Sequence, residues 1–498
     1  MAESKIDPRV FPRRVRHAAL LTVNVFVFMG NMYSSGIATG FESLAEDLHL
    51  PFAKLSDLIS YSVLAMGLAN IFWMPLALCF GKRPIALISM AMFVTGVIWT
   101  CVAKDYNSLM GARVFASFGM CFGDLTITHP LIVLGYGSIE SLGPSILADL
   151  FYERNYASAM ATYAFFLSGG SQIGPVIAGY LVASKGWRWF FYLLLILAAV
   201  NFVTTFFLLP ETLYEVESVT EPDAQGDSEK VSQRHIEAVS SRSSSDAFSY
   251  AAYWKELFRL GISQEARKKG VLKFLGYSFA LPLPMILIPG ALLASIMYGV
   301  ALGGVVSIST LCPSLLSPPP YLFTSADLGL FSLSSFIGTV VAFPIAGPLT
   351  DYLSQWLRRR NNNVHKPEHR LPALLFPFLF CPLGLSIFGY TIAHQQHYIG
   401  PAVGAALSAA SLTLVPSVML SYVVDSYPHT SGEALVLVNA SKNVVAFGLS
   451  KGSYSWMAHE GVDKMFYEFA AIQWAAIALA LPLYYAGPWI RAKTQKFV

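Results

Sequence analysis

The chain has 498 residues, of which 55% are hydrophobic and 13% are charged, and its net charge at pH 7 is +3. Soluble domains usually carry about a quarter charged residues, so this composition excludes a chain that folds with water as its main solvent and favours a membrane protein. The small net charge gives no support for nucleic-acid binding, which needs clustered basic residues on a polar surface.

Apolar runs recur along almost the whole chain. A hydrocarbon core about 30 Å thick needs roughly 20 residues of helix for each crossing. We therefore predict an all-α membrane protein with twelve transmembrane helices in two sets of six. The first set covers residues 18–39, 57–79, 85–103, 108–150, 157–183 and 189–209, of which the fourth span is irregular. The second set covers residues 280–311, 328–353, 371–393, 399–424, 434–456 and 465–487.

The spans divide the chain into two helical bundles and three polar segments. We predict bundles at 18–210 and 271–487, with tails at 1–17 and 488–498 and a Ser-rich, partly disordered linker at 211–270. Basic residues resist translocation, and most lysines and arginines fall on the side of the tails and the linker. We therefore expect both termini in the cytoplasm. The loops of the opposite side hold only Lys54, Lys104, Lys185, Arg188, Lys451 and Lys464.

A charged motif follows the eighth predicted span. Residues Gly347 to Arg360 read GPLTDYLSQWLRRR, which resembles the cytoplasmic gating motif of the major facilitator superfamily. Gly347, Asp351 and Arg358 hold its key places. The resemblance implies that the glycine lets helices approach, while the carboxylate and nearby guanidinium groups form a latch that breaks when two halves of the protein rock. A simple stop-transfer cluster of arginines is the alternative.

The corresponding loop of the first half reads WMPLALCFGKRP, from Trp73 to Pro84. Gly81, Lys82 and Arg83 keep the end of the gating motif. Leu78 stands where the superfamily usually has aspartate, so the resemblance does not carry an aspartate-based latch to this side.

The fifth predicted span contains SGGSQIGPVIAGYL, from Ser168 to Leu181. It is similar to a motif of drug and proton antiporters in the same superfamily, with matches at Gly170, Gly174, Pro175 and Gly179. Small residues four apart let helix backbones touch and proline bends a helix, so the resemblance implies a hinge. The alternative is a plain helix-packing seam.

Three longer phrases resemble fungal transporters of the drug and polyamine type. They are Gly186 to Tyr214, Lys366 to Leu374 and Tyr422 to Asn443. Together with the motifs they identify the chain as similar to major facilitator proteins over nearly all twelve spans. The resemblance implies two parallel six-helix halves that rock about a site near the middle of the membrane.

Charged side chains inside a membrane are costly unless they face a cavity or a partner, so each is a functional candidate. Arg113 matches the helix-4 arginine that the resemblance associates with proton coupling, and a snorkelling arginine is the alternative. Glu140 is the best candidate for a carboxylate that binds a cation or carries a proton. Lys442, beside Asn443, is placed to pair with a carboxylate or to contact substrate. Uncharged pocket candidates, which could equally be contacts between helices, are Asn24, Asn31 and Tyr33.

The fourth span is too long for a single crossing. The resemblance would run continuously if Met120 to Leu134 were absent. One hypothesis is a translated intron, because a fungal donor sequence could encode the residues at the break. The other is a broken helix, which is tolerable where Asp124 and His129 face a cavity or water. A real insert is expected to displace Glu140 and impair transport.

The leading functional prediction is a monomeric, proton-coupled exporter of small organic molecules, such as drugs or secondary metabolites, in the plasma membrane. Uptake of a cationic solute such as a polyamine is the alternative, with Glu140 as the counter-charge, and a non-transporting receptor is a further one. An enzyme is not expected, because no Ser-His-Asp grouping, metal-ligand cluster or phosphate loop occurs in a credible setting. We expect no metal, no cofactor and no nucleic acid, so the partners are substrate, protons and lipid.

Overall fold

A computed structural model describes residues 11–118, 153–212, 264–280, 288–361, 366–427 and 431–494, together with 143, 146, 147, 150, 151, 284 and 285. Every regular element in these residues is a helix. The main helices of the described chain are α1 (Arg13–Gly36), α2 (Asp57–Phe80), α3 (Lys82–Val102), α4 (Tyr106–Phe118), α5 (Glu153–Lys185), α6 (Trp187–Leu208), α7 (Pro289–Leu316), α8 (Ser325–Arg360), α9 (Leu375–Ala393), α10 (Ile399–Ser426), α11 (Ser431–Glu460) and α12 (Val462–Ala478).

Shorter helices connect or extend these elements. They are Ile37–Gly40, Phe41–Leu48, Phe52–Leu55, Gln264–Lys269, Val271–Ala280, Pro367–Leu374 and Ala480–Thr494. The last continues α12 almost directly, so helical structure extends beyond residue 487, where we predicted that the second bundle ends.

Ten stretches of the described residues are long and apolar enough to cross a membrane. The described part of α4 has only 13 residues, and α11 carries polar residues such as Asn439, Lys442 and Lys451 along its length. The prediction of an all-helical membrane protein is confirmed. The largest difference in a helix start is that of α7, which begins at Pro289 rather than near 280. Proline is favoured in the first turn of a helix because its missing N–H has no partner to lose there.

Two hydrophobic cores occupy the two halves of the chain. The first lies among α1 to α6 and buries large side chains such as Trp73 and Phe191. The second lies among α7 to α12 and is centred on rings such as Phe388, Phe466 and Phe469. Because close-packed cores resist deformation, each half can move as a unit while contacts between the halves change.

The helices alternate in direction, so their ends fall into two sets. We call the end that holds Arg13, Phe80 and Thr494 the proximal end, and the end that holds Asp57 and Lys185 the distal end. Cations lie over aromatic rings at both. At the distal end the Lys185 ammonium is 4.5 Å from the Trp189 ring centre. At the proximal end the corresponding pairs are Arg360 with Trp356 at 4.0 Å and Lys493 with Trp489 at 4.1 Å. Such pairs are typical of helix ends at a membrane surface.

The halves meet along two helix pairs, α2 with α11 and α5 with α8. Close approach at the first seam depends on Gly67, because an added Cβ would lie 2.6 Å from the Asn443 Cβ and 2.9 Å from the Ala440 carbonyl oxygen. These two seams flank the space between the halves.

Candidate functional site

A cavity of about 120 Å³ lies between the two halves. It is lined from one side by α1, α2 and α5 and from the other by α7, α10 and α11. Hydroxyl and amide groups, including those of Asn31, Ser168 and Gln172, alternate with apolar side chains such as Met66 and Leu302. This mixture suits a small organic molecule with both polar and apolar parts. The volume is below the about 300 Å³ typical of small ligand pockets, so a drug-sized ligand requires the halves to separate further.

Lys442 brings a positive charge to the wall of this cavity. Its side chain is 3% exposed, and its ammonium group donates a hydrogen bond of 3.2 Å to the Tyr298 hydroxyl. The same ammonium lies 4.3 Å from the centre of the Tyr298 ring. Since Tyr298 belongs to α7 and Lys442 to α11, this contact fixes the relative position of two cavity helices of the second half.

The other candidates on α1 and α11 lie in different environments. Asn31 lines the cavity, and its amide donates to the Val27 carbonyl oxygen at 3.0 Å. Tyr33 is fully buried inside the first half, where its hydroxyl is 2.9 Å from the Thr100 hydroxyl. Asn24 is 1% exposed and does not line the cavity. Asn443 lies at the α2–α11 seam rather than in the cavity wall.

Arg113 is completely buried and holds α4 against α1 and α2. Its guanidinium group donates to three backbone carbonyl oxygens, those of Leu58 at 3.0 Å, Tyr33 at 3.2 Å and Ser34 at 3.0 Å. It also lies 4.8 Å from the centre of the Tyr33 ring. The carbonyls of Tyr33 and Ser34 lie in the last turn of α1, where helical partners run out. Arg113 therefore supplies donors to a helix end inside the bundle and does not snorkel to a surface.

Glu140 lies outside the described residues, as do Asp124, His129 and the whole segment Met120 to Leu134. For the same reason, the structure does not test the intron hypothesis or the predicted disorder of the linker. These assignments stay predictions.

Side chains of both halves meet at the distal end. Lys451 of α11 forms an ion pair with Asp57 at the start of α2. Within one helical turn of this pair, on its deeper side, the Ser450 hydroxyl donates to the Ser60 hydroxyl at 3.0 Å, and both residues are fully buried. We call the Asp57–Lys451 pair and the Ser60–Ser450 hydrogen bond the distal lock. It closes the distal side of the α2–α11 seam.

The glycines of the fifth span serve two different contacts. Gly170 and Gly174 face α1 of the same half, and a Cβ added at Gly174 would lie 2.8 Å from the Met32 Cα. Gly179 faces α8 of the other half, against the Ser325 carbonyl oxygen. Gly329 of α8 completes this contact, since its Cβ would lie 2.7 Å from the Pro175 carbonyl oxygen. The motif therefore packs helices within one half and also forms the α5–α8 seam.

The gating motif of the second half is organised around an arginine outside it. Arg370 donates from Nε to the Asp425 carboxylate at 2.6 Å and from Nη1 to the Asp351 carboxylate at 3.2 Å. Gly347 lies one turn before Asp351, with open space where a Cβ would be. Arg358 is exposed. Asp351 is thus held by Arg370, which follows the motif, and this ion pair lies within the second half.

A second pair stands beside it. Arg491, at the end of the chain's last described helix, makes a two-pronged contact with Glu368, with distances of 3.1 Å and 2.9 Å. Glu368 is almost fully buried, at 3% exposure. Because two parallel hydrogen bonds fix orientation as well as distance, this pair ties the extension of α12 to the short helix Pro367–Leu374 before α9.

In the first half, the turn from α2 to α3 closes on a carboxylate from the end of α6. Glu211 accepts hydrogen bonds from the backbone N–H of Lys82 at 3.0 Å and of Arg83 at 3.3 Å. Gly81 has φ +100°, a conformation that favours glycine. Arg83 also donates to the Phe206 carbonyl oxygen at 2.8 Å. The retained Gly-Lys-Arg end of the motif therefore binds a carboxylate other than the missing aspartate.

The sequence profile of the Major Facilitator Superfamily matches residues 21–128 and 131–449 of this chain. The chain belongs to the major facilitator superfamily. The recognition made from the motifs is confirmed by this match, which covers most of both bundles.

Known members of the superfamily resemble the chain over most of its length. It is 21% identical over 488 residues to an uncharacterized MFS-type transporter of Schizosaccharomyces pombe, across 91% of this chain and 81% of the relative. It is 23% identical over 473 residues to a protein of Aspergillus flavus named probable efflux pump mfs2, across 92% and 99%. The relatives are thus transporters, and one is labelled an efflux pump.

A solved member shows the same fold. The xylose transporter XylE of Escherichia coli, in a partially occluded inward open conformation, superposes with a TM-score of 0.62 at 12% identity. The superposition covers 95% of this chain and 98% of XylE. The prediction of two six-helix bundles in the major facilitator fold is confirmed.

Sequence reasoning did not assign several charged residues that the structure brings together. Glu211, Arg370 and Asp425 all lie inside phrases that carried the superfamily resemblance, but their partners are distant in sequence. Asp57 and Lys451 lie at span ends, where a charge alone indicates only a solvated terminus. The sequence does show acidic and basic residues near the proximal ends of different helices. A single sequence does not show which of these helix ends lie next to each other.

Proposed function

We propose that this chain is a secondary active transporter that exports small organic molecules in exchange for protons by alternating access. The observation that carries the proposal is the position of the central cavity, which lies between two separately packed halves and is closed distally by the lock and by the α5–α8 seam. Rocking of one half on the other exposes such a cavity to each side of the membrane in turn.

The orientation follows from charge. With the basic loops on the cytoplasmic side, the proximal end faces the cytoplasm and the distal end faces outward, in our proposal at the plasma membrane. The arrangement described here is then closed to the outside, and further separation of the halves at the proximal end would admit substrate from the cytoplasm.

Proton coupling requires a group that changes charge during the cycle. We assign this role to Glu140. Lys442 is the basic group of the cavity, and we assign to it pairing with a carboxylate or contact with substrate. Arg113 is a positioning residue in this scheme, because each of its three guanidinium nitrogens donates to a carbonyl oxygen of α1 or α2. It keeps the distal ends of those helices in place.

Export is favoured over uptake by two observations. The glycine motif of α5 is similar to that of drug and proton antiporters, and a relative similar over 92% of this chain is named a probable efflux pump. The cavity wall, which mixes polar groups with apolar side chains from both halves, suits partly apolar substrates in either direction of transport.

The test is an efflux assay in cells that overexpress the protein, with a panel of organic compounds, followed by flux in proteoliposomes under an imposed pH gradient. We expect the wild type to deplete cells of at least one compound and Glu140→Gln to lose the pH-driven component. Glu42→Gln is the matched control, because Glu42 is exposed in a distal helix. Accumulation of a cationic compound would instead support uptake, and absence of flux for the whole panel would support a receptor.

A further inference from the structure

A basic and apolar segment lies on the proximal surface, separate from the cavity. It consists of Gln264–Lys269 and Val271–Ala280, and we call it the surface segment. Four of its cations are exposed, and its sequence from 266 to 280 contains no Asp or Glu. These cations are Arg267, Lys268, Lys269 and Lys273.

The surface segment is anchored on the first half by its buried face. Ala266 and Phe274 pack with Cys79 at the proximal end of α2. Phe279 and Phe72 also meet, with ring centres 5.4 Å apart. Cys79 lies at the proximal end of α2 and Phe72 lies about two turns further in, so the segment begins at the membrane surface and its last turn reaches below that surface.

The C-terminal end of the segment connects to α7, whose first turn lies at the proximal end. Ala280 precedes Pro289, the first residue of α7, by nine positions, and a chain of that length reaches at most about 30 Å. The segment therefore packs on α2 of the first half and lies within reach of the proximal end of α7 of the second half.

The outward face of the segment exposes apolar and aromatic side chains as well as cations. Leu272 is 86% exposed and Tyr277 is 58% exposed, and they alternate with the exposed Lys273. The Lys269 ammonium lies 5.9 Å from the centre of the Tyr277 ring. Apolar and aromatic side chains interleaved with cations are the pattern of helices that lie in the headgroup region of an anionic bilayer.

We propose that the surface segment binds anionic phospholipid of the proximal leaflet. Its cations contact the phosphate and carboxylate groups of the lipid, while Leu272 and Tyr277 enter the boundary between headgroups and acyl chains. Charge complementarity decides the occupant, since the segment offers four exposed cations against a single acidic residue, Glu265, and in the proposed orientation it faces the cytoplasmic leaflet, which carries the anionic lipids. The inference is independent of the substrate and of the direction of transport.

The experiment uses the purified full-length chain in vesicles of phosphatidylcholine with about a quarter phosphatidylserine, a composition with a strongly negative surface. A photoactivatable phosphatidylserine probe is compared with the same probe built on phosphatidylcholine, and labelled peptides are mapped by mass spectrometry. We expect the phosphatidylserine probe to label residues 264–280 preferentially. Equal labelling by the two probes, or labelling elsewhere only, would overturn the proposal without affecting the proposed transport function.

Substitutions test whether the cations of the segment are responsible for lipid binding. Replacing the four cations with glutamine is expected to lower labelling of the segment at least about tenfold, because each cation near an anionic surface contributes a factor of about five. The matched control removes four exposed distal cations by Lys54→Gln, Lys104→Gln, Lys185→Gln and Lys464→Gln, and should leave the labelling unchanged. Retained labelling in the first variant, or equal loss in the second, contradicts the proposal.

A second variant and a competitor separate the two parts of the site. Leu272→Ser keeps every charge and is expected to reduce labelling less than loss of the cations does. Soluble glycerophosphoserine in excess should not displace the probe, because it lacks the acyl chains. Complete displacement by the soluble headgroup would overturn the assignment to a bilayer lipid.

Discussion

Removing the charge of Asp57 is expected to favour the state in which the distal end is open. The side chain of Asp57 is 16% exposed and that of Lys451 is 40% exposed, so solvent screens the pair partly. Measured pairs of this kind contribute up to about 1 kcal/mol. The pair joins the two halves and is broken when they separate distally, so this energy acts on the closed state alone. Asp57→Asn should therefore raise the ratio of open to closed protein by about fivefold.

Two other interactions of these residues must be separated from the pair. Asp57 lies in the first turn of α2, where a negative charge is favourable in both states. The Lys451 ammonium lies 5.3 Å from the centre of the Tyr61 ring. A double-mutant cycle with Asp57→Asn and Lys451→Met isolates the direct term, because contributions that each residue makes alone cancel.

Cys312 is a built-in reporter of distal opening. It is 8% exposed and lines a second cavity of about 30 Å³ that continues the central one towards the distal end. With Cys79, Cys101, Cys121 and Cys381 replaced by alanine, a membrane-impermeant maleimide added from the distal side should react with Cys312 only when the seams open. Asp57→Asn should speed this reaction about fivefold and Lys451→Met at least as much, because Lys451 also contacts the Tyr61 ring of the other half, and the double variant should be no faster than Lys451→Met alone. Unchanged rates, or a product of two independent effects in the double variant, would refute the role of the pair.

Further substitutions test other contacts. Gly329→Ala places a Cβ 2.7 Å from the Pro175 carbonyl oxygen, and this overpacking of about 1–3 kcal/mol at a seam between halves should speed Cys312 labelling. Gly174→Ala makes a similar clash within one half, so it should lower the unfolding temperature in detergent and leave labelling unchanged. Arg113→Lys loses at least one of three hydrogen bonds, each contributing about 1.5–3 kcal/mol, and an unaltered unfolding temperature would contradict this account. Glu211→Ala leaves two backbone N–H groups without their carboxylate, and a thermal scan should show a loss of stability that Glu42→Ala does not share.

The sequence predicted the fold well because the bilayer imposes a simple rule. A helix that crosses hydrocarbon must be apolar for about 20 residues, and this fixed most spans to within a few residues. The exception at α7 has a physical cause. The apolar residues of Val271–Ala280 belong to a separate short helix, in which Phe274 packs with Cys79 at the proximal end of α2. Hydropathy does not distinguish apolar residues that face lipid from apolar residues that pack against protein.

The candidate site was harder to predict because residues that contact each other are far apart in the sequence. Arg113 was found from the sequence, but its partners are three carbonyl oxygens, which no side-chain pattern can indicate. Tyr33 was a candidate either for the pocket or for a contact between helices, and it lies against Thr100 of α3 behind the cavity wall. A polar residue on α1 can face either way, and only the rotation of the helix, set by packing against α5 and α6, decides which.

The polarity of α11 follows from the position of this helix between the halves. It packs on α7 within its own half and on α2 of the other half, and it supplies Lys442 to the cavity. The α2–α11 seam combines small residues and hydroxyls such as Ser450 with the Asp57–Lys451 ion pair, and these contacts are specific yet weak enough to break in the proposed transport cycle. Aromatic pairs also cross the seams, Tyr61 with Phe447 at 5.3 Å and Phe165 with Phe336 at 6.1 Å. At the α5–α8 seam, Gly179 lets the two backbones approach closely, against the Ser325 carbonyl oxygen.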